Sequence, residues 1–374
     1  MRQIRICGEE IMDKVLLEDC CEILDSMRVP ITASDRKEGP YPYYGANGIQ
    51  DHVADYIFND ELVLLAEDGG NFGSKERPIA YRVSGKCWVN NHAHVLKPKE
   101  GLDVDYLCYS LMFYNTDGLV NGATRQKLTQ ATMRKMLIPM RDVNEQTVIV
   151  EKLKTIQRII EKRTEEIQRL DELIKARFVE MFGDENKHVL MKDICSIITD
   201  GTHQPPKFVD KGIPFIFVSN ITGNEITYDA EKFINQETYD ELMKRTPLEI
   251  GDIILSTVGS YGHPAIVKSN RKFLFQRHIA YLKPRKEMID SEYLHSAILT
   301  DDVQRQIDAA VKGIAQKTLN LSAIKELEIP LPPISRQKEF VSFKNQVNKS
   351  KVAVQKSLDE TQLLFDSLMQ KYFG

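Results

Sequence analysis

The chain repeats itself at an interval of about half its length. Three pairs of segments recur in the same order, namely residues 14–25 with 188–200, 90–98 with 276–284, and 122–139 with 313–330. The last pair, GATRQKLTQATMRKMLIP and GIAQKTLNLSAIKELEIP, aligns without a gap, and its offset of 191 residues holds to the end of the chain. A repeat of this length predicts a fold of two similar halves.

The offset is smaller earlier in each half. His92 and His278 lie 186 residues apart, and Lys14 and His188 lie 174 apart. The early and middle parts of each half have therefore gained and lost loop residues, whereas roughly the last 60 residues have kept their register. Variable loops on a constant frame are typical of a recognition module. Plain drift after an old duplication remains the alternative, but it does not explain why the changes are so unevenly distributed.

Each half ends in a segment with helical heptad spacing. Residues 144–182 contain neither Pro nor Gly, and their apolar side chains alternate at intervals of four and three. Each predicted helix has roughly 38 residues and a length of about 57 Å. The apolar seam positions are Ile149, Leu153, Ile156, Ile160, Ile167, Leu170 and Ile174 in the first helix, and Phe340, Val347, Val354, Leu358, Phe365 and Leu368 in the second.

Connectivity favours antiparallel packing of these helices, because parallel packing would need a long crossover that the sequence lacks. The predicted fold class is α+β, with two globular domains at opposite ends of a two-helix antiparallel coiled coil and a pseudo-twofold internal repeat. The expected bounds are 1–143 for the first domain, 144–184 for the central helix, 185–334 for the second domain and 335–374 for the distal helix. The alternative is that each helix packs only on its own domain.

Composition indicates a cytoplasmic globular protein that does not enter a membrane. No apolar run approaches the roughly 20 residues that span a bilayer, and six cysteines without a CxxC pair indicate reduced thiols. The net charge of −4 is unusual for a DNA-binding protein. However, residues 268–286 carry seven Lys/Arg and no acid, and residues 75–99 carry six with one acid. These stretches are either DNA-facing surfaces or solvated hairpin faces.

Motifs for catalysis are missing from the sequence. There is no GxxxxGK[ST] phosphate loop, no [ND]PP[YFW] adenine-methylation motif and no HExxH. His92 and His94 have no third ligand nearby in sequence, so we expect no metal site. We therefore expect a chain with no catalytic residues and no cofactor of its own.

Polar residues and glycines that follow strand-like runs are the candidates for DNA contact. Small residues at such positions let backbone N–H groups approach a phosphate or a base edge, although ordinary tight turns look the same. Asn, Gln and Arg can also pair with base edges, while the turn at Asp200 could equally cap a helix. The candidates are Tyr44, Asn47, Gly70, Asn71, Lys75, Asn91 and His92 in the first half, and Asp200, Thr202, His203, Ser260, Tyr261, Lys272, Gln276, Arg277, His278 and Lys317 in the second.

Several strings, in this order, resemble the specificity subunits of type I restriction–modification systems. They cover nearly the whole chain except about the first dozen residues. YPYYGANGI, DELVLLAEDGGNFG and CWVNNHAHVLKP are similar to one common target recognition domain of that family, and DGTHQPPKF, GDIILSTVGSYGHPAIV and FLFQRHIAYLKP to another. LDELIKARFVEMFGD resembles the end of the family's central conserved helix, and EIPLPPISRQ resembles the entry into its distal helix.

The resemblance implies a function and a set of partners. Each target recognition domain would recognise one half of a split double-stranded DNA site, and the helices would set the spacing. The helices would also bind two modification subunits that methylate adenine with S-adenosylmethionine. Two motor-nuclease subunits, which use ATP and Mg²⁺, would join for restriction. The alternatives are the specificity subunit of a stand-alone adenine methyltransferase or related type II system, a single-chain enzyme, and a two-headed protein-interaction scaffold.

Overall fold

The computed structural model describes residues 13–122, 125–313 and 317–374. The first residues of the predicted first domain, the Cys7 thiol, and positions 123–124 and 314–316 of the late repeat lie outside the described residues. The chain divides into two compact units. Unit 1 comprises residues 1–164 and 356–374, and unit 2 comprises residues 165–355.

Unit 1 is a mixed α+β unit with one large sheet. The sheet has the strand order β2-β7-β5-β6-β3-β4, and the separate pair β1-β8 joins the two ends of the domain. The elements up to the first long helix are β1 (Lys14–Leu16), α1 (Leu17–Cys20), β2 (Cys21–Ile23), β3 (Tyr41–Gly45), β4 (Gly48–Val53), β5 (Phe58–Ala66), β6 (Ala80–Val89), β7 (Ala93–Pro98), α2 (Val104–Met112), α3 (Gln130–Met133) and β8 (Leu137–Pro139).

Strand β5 lies at the centre of this sheet with both faces covered. Its apolar run alternates between two cores, since Val63 and Leu65 pack with α2 and the long helices while Leu62 and Leu64 pack on the opposite face. Successive side chains of a strand point to opposite faces, so a continuous apolar run is what a doubly covered strand requires.

Unit 2 repeats this plan with smaller sheets. Its sheets have the strand orders β10-β16-β13-β14, β12-β11-β15 and β17-β9. Its elements between the long helices are β9 (His188–Leu190), α5 (Met191–Ile194), β10 (Cys195–Asp200), β11 (Ile213–Ile216), β12 (Phe233–Ile234), α6 (Gln236–Leu242), β13 (Ile253–Ser256), β14 (Pro264–Ile266), β15 (Leu274–Phe275), β16 (Ile279–Pro284), α7 (Ser291–Ile298), α8 (Asp301–Ala310), α9 (Leu321–Lys325) and β17 (Glu328–Pro330).

Two 40-residue helices, α4 (Val143–Phe182) and α10 (Ile334–Phe373), occur where the heptad pattern predicts them. In unit 1, the start of α4 and the end of α10 share one core with α2. In unit 2, Arg336 donates to the Met181 carbonyl at 3.0 Å, and Lys351 bonds both oxygens of Asp171 at 2.7 Å. The numbering thus runs in opposite directions along the two helices of unit 2, which is the antiparallel packing expected from connectivity.

The thirteen predicted seam residues are all buried or half-buried. Leu153 and Phe340 are completely buried because they also face a domain core. Lys344 interrupts the apolar seam of α10, and the heptad pattern alone does not explain why. Its ammonium group lies 2.7 Å from Glu292 of α7, so this position bonds the helix to the domain.

The five cysteines that the structure describes are unbridged and buried. No helix in the described parts of the chain combines the length and apolar composition needed to cross a bilayer.

Candidate nucleic-acid interface

The same three segments converge at one edge of the main sheet in both units. They are the end of the central strand (residues 66–70 and 256–260), the histidine turn (residues 90–92 and 276–278) and the described residues of the glycine hairpin (121–122 with 125–127, and 312–313 with 317–318). We call each group of three segments the candidate edge of its unit. The late repeat, the shared histidines and the glycine-containing turns singled out in the sequence thus meet in space.

Within each candidate edge, matching backbone hydrogen bonds join the segments to one another. The carbonyl of His92 accepts from the Glu67 N–H at 2.8 Å, and that of His278 accepts from the Thr257 N–H at 2.9 Å. Gly69 donates to Gln126 at 3.1 Å, while Gly259 donates to Lys317 at 3.2 Å. The correspondence shows that the sequence repeat is a repeat of three-dimensional structure.

The glycine hairpins need glycine at one position each. Gly122 and Gly313 have φ angles of 102° and 107°, in the region that side chains disfavour. A Cβ at Gly122 would also lie 2.4 Å from the Arg125 carbonyl oxygen. Bridges of Lys127 to Asp68 and of Thr318 to Val258 join the returning residues of each hairpin to the end of the central strand.

In unit 1, five of the predicted residues belong to the candidate edge or are hydrogen-bonded to it, and two lie apart from it. Gly70 and His92 belong to its segments, Asn91 is exposed in the histidine turn, and the Asn47 amide donates to the Gly69 carbonyl at 3.0 Å. The Tyr44 carbonyl accepts from the Asn90 N–H of the histidine turn at 3.0 Å, and its ring contacts Tyr81 with centroids 5.7 Å apart. Asn71 and Lys75 lie in the loop beyond the strand.

In unit 2, the candidate edge contains a cleft of about 280 Å³ whose lining includes Asp200, Arg277, His278 and Thr318. Thr202 bridges to Gln276, and its carbonyl accepts from the Arg277 N–H at 3.0 Å. Three of the ten candidates proposed from the second half thus line one cleft, and Thr202 and Gln276 lie next to them. Burial and the neighbouring Arg277 lower the pKa of His278, which favours the neutral imidazole.

The other candidates of unit 2 lie at the margin of this cleft or away from it. His203 pairs with Asp200, and Lys317 lies 6.0 Å from the centroid of the Tyr261 ring. Ser260 is hydrogen-bonded to His263 at 3.1 Å. Lys272 instead contacts Gln236 and Tyr239, so the structure does not bring it to the cleft.

Two arginines at or beside these edges were not proposed from the sequence. Arg125 of the glycine hairpin pairs with Asp68, and Arg245 pairs with Asp200. Arg125 lies within the repeated segment 122–139, which was a usable signal. Arg245 lies in a stretch that has no counterpart in the first half, so the repeat carried no information about it.

A largely buried ionic cluster adjoins the candidate edge of unit 1 through Glu67. The imidazole of His94 bonds Asp25 at 2.7 Å and the Leu128 carbonyl at 2.9 Å, and Glu67 lies close by. Burial alone would raise the pKa of Asp25, but hydrogen bonds from His94, Val95 and Gln130 bring it below its usual value. The three side chains Asp25, Glu67 and His94 could reach one metal ion. However, Arg28 and Lys127 already neutralise the carboxylates at 2.6 to 3.5 Å.

Comparisons with known proteins agree with this duplicated architecture. The family described as "Type I restriction modification DNA specificity domain" matches residues 9–170 and 184–361. A protein of Haemophilus influenzae named as a type I restriction enzyme specificity subunit is 27% identical over 359 residues, which is 90% of this chain and 87% of the relative.

Solved structures share the fold. The type I restriction–modification S subunit from M. genitalium superimposes with a TM-score of 0.58 at 14% identity, over 99% of this chain and 98% of that one. A chain from work on complex assembly and conformational transition of the type I system gives 0.55 at 16% identity, over 96% and 97%. The chain therefore belongs to the type I restriction–modification DNA specificity family, as a specificity subunit without a catalytic role that carries the family's domain twice.

Proposed function

We propose that the chain recognises a split double-stranded DNA site, with each unit contacting one half. The observation that carries the proposal is the duplicated candidate edge, in which the same segments meet through the same backbone hydrogen bonds. Two similar surfaces in one chain suit a bipartite site whose halves differ, because the side chains on the common frame are different.

Electrostatics supports DNA as the ligand despite the net charge of −4. In unit 2, the exposed Arg277 lies beside the cleft, and its guanidinium contacts His278 rather than a carboxylate. Arg271 and Lys272 are exposed in the loop before β15. A cation that is not neutralised by an acid attracts phosphate, and such contacts make binding salt-dependent.

The long helices are the proposed docking surface for two modification subunits, which would methylate adenine. Two motor-nuclease subunits would complete a restriction complex in the cytoplasm. S-adenosylmethionine, ATP and Mg²⁺ would then bind to those partners. A stand-alone adenine methyltransferase would use the same chain without the nuclease. A two-headed protein scaffold would bind its partners whatever the DNA sequence.

Mapping methylated adenines in cells that carry the chain with its modification subunit tests this function. We expect a motif of two specified halves separated by a fixed gap, and Arg277→Ala should weaken or relax the half contacted by unit 2 only. Arg305→Ala is the matched control, because Arg305 is exposed and pairs with Asp302 on α8. Methylation without a preferred sequence would contradict the proposal, and an effect of Arg277→Ala confined to the other half would refute the assignment of this residue.

A further inference from the structure

In each unit, one exposed arginine is held by a carboxylate that is itself mostly buried. The Arg125 side chain is 60% exposed and lies 2.7 Å from Asp68, which is only 19% exposed. Arg245 is 52% exposed and lies 2.5 Å from Asp200, which is 17% exposed. In both pairs the fixed acid orients a cation that faces solvent.

A histidine shares each of these carboxylates. The Nδ1 atom of His92 lies 2.6 Å from Asp68, and the Nε2 atom of His203 lies 2.9 Å from Asp200. Other arginine pairs of the protein differ in character. Arg28 is itself mostly buried together with the two acids that it pairs with, whereas Arg305 and its partner Asp302 are both exposed. Exposed pairs of that second kind contribute little.

Both pairs lie at the candidate edges. Arg125 is part of the glycine hairpin, and its guanidinium approaches His92 of the histidine turn to 3.3 Å. Asp200 lines the cleft of unit 2 together with Arg277 and His278. The two arginines come from unrelated positions in the repeat, so each unit has acquired this arrangement in its own way.

The geometry leaves most of each guanidinium available. Among the contacts of the described residues, Arg125 and Arg245 each use a single terminal nitrogen toward the acid and the histidine. A guanidinium has five N–H donors in a planar fork, and fixing its plane beforehand removes much of the entropy cost of a two-point contact.

The neighbouring acid also determines what such an arginine can bind. A carboxylate at 2.5 to 2.7 Å offsets the positive charge and repels phosphate, so the pair gains little from the DNA backbone. The free N–H groups still match two neutral acceptors in one plane. Guanine presents that arrangement in the major groove through O6 and N7.

We propose that Arg125 and Arg245 each recognise a guanine in the half-site of their unit, with Asp68 and Asp200 as positioning residues. The inference rests on the proposed function and adds a named base and a named side chain to each half. Arg277, which has no carboxylate partner among the described residues, instead attracts phosphate in the half-site contacted by unit 2, so that its loss weakens binding to that half.

The test uses the full chain assembled with its modification subunit. Binding is measured on the wild-type motif and on duplexes with each G·C pair replaced in turn, at several salt concentrations, while methylated adenines are mapped in cells. The variants are Arg125→Ala, Arg125→Lys and Asp68→Asn for unit 1, and Arg245→Ala, Arg245→Lys and Asp200→Asn for unit 2. Arg134→Ala and Arg305→Ala are controls, since both arginines are surface residues paired with partly exposed acids.

We expect each arginine variant to lose about 10- to 100-fold of the preference for one G·C pair, in the half-site of its own unit. Asp68→Asn and Asp200→Asn should lose preference at the same base pair but bind DNA lacking that guanine at least as tightly as the wild type. A merely structural role would instead weaken binding to all duplexes equally. That result, or an unchanged motif, or an effect on a half-site without guanine, overturns the inference. A wild-type complex that prefers no sequence contradicts the proposed function itself.

Discussion

His295 of α7 is a half-buried histidine, with a buried Nδ1 atom, whose surroundings favour the neutral imidazole. Its Nε2–H donates to the Asn224 carbonyl at 3.0 Å, and its Nδ1 has no partner among the described residues. Burial is the main cause that lowers its pKa to about 4, and the ammonium of Lys344 acts in the same direction. In the unfolded chain the same imidazole titrates near 6.5.

This difference predicts an acid-sensitive unit 2. The unfolded state binds more protons than the folded state between pH 6.5 and 4, so the contribution of His295 is complete above pH 6.5 and is lost as the pH falls toward 4. The loss should reach a few kcal/mol. Denaturant unfolding of His295→Gln between pH 7 and 4 should show a shallower decline than the wild type. His188→Gln, at an exposed position of β9, is the control, and equal declines in all three proteins would refute the prediction.

The positions of residues in the internal repeat predicted more of the site than the types of residue did. The shared histidines at 92 and 278 could be paired from the sequence because they lie in matching strings. In the structure their carbonyls accept hydrogen bonds from equivalent residues at the ends of the central strands, Glu67 and Thr257. The pairing of Asp200 with Arg245 could not be predicted, because the residues are 45 positions apart and no local pattern connects them. Side-chain contacts of that kind depend on how the loops fold over the sheet.

The long helices are joined to their domains by a buried glutamine at the same place in each unit. Gln146 accepts from the Asp103 N–H at 2.8 Å and donates to the Gly101 and Arg141 carbonyls at 2.8 and 2.9 Å. Gln337 makes the corresponding bonds with Asp290, Met288 and Pro332. Asp103 and Asp290 are the N-cap residues of α2 and α7, so one amide side chain couples two helix ends.

Replacing either glutamine with leucine should destabilise its own unit by roughly 2–4 kcal/mol, because buried backbone groups lose their partners. Thermal or denaturant unfolding measures the effect, with Gln168→Leu at an exposed position of α4 as the matched control. If Gln337→Leu proves as stable as that control, the amide does not hold the helix to the domain.

The helices are also the elements proposed to set the gap between the half-sites. Four residues inserted after Thr164, matched by four after Gln355, lengthen each helix by about 6 Å, which corresponds to about one or two base pairs. A seven-residue pair of insertions keeps the heptad register and should add about three base pairs. Mapped methylation motifs report the gap, and an unchanged gap with both insertions would show that the helices do not set it.

Among the secondary-structure elements, the sequence predicts the long helices better than the sheets. A heptad stripe is local, so the bounds of α4 and α10 follow from spacing and from the absence of Pro and Gly. The sheet order β2-β7-β5-β6-β3-β4 places strands side by side that are far apart in the chain. Turn signals do not encode that order, and the parallel contact of β3 with β6 was not anticipated.

For the whole molecule, duplication was the most informative property of the sequence. It predicted two α+β domains, and the repeated hydrogen bonds of the two candidate edges show that the halves share a frame. The region between β10 and β13 of unit 2, which includes β11, β12 and α6, carries most of the difference in offset. The frame therefore accepts different loops, as a protein must if its two halves recognise different sequences.

Exchange of one recognition domain shows whether each unit recognises its own half-site. Residues 187–333 of the chain are replaced by the corresponding residues of another family member, and methylated adenines are mapped in cells that also carry the modification subunit. We expect one half of the motif to change to that of the donor, while the other half and the gap stay as they were. A motif that changes in both halves, or in neither, would show that the two units do not recognise separate half-sites.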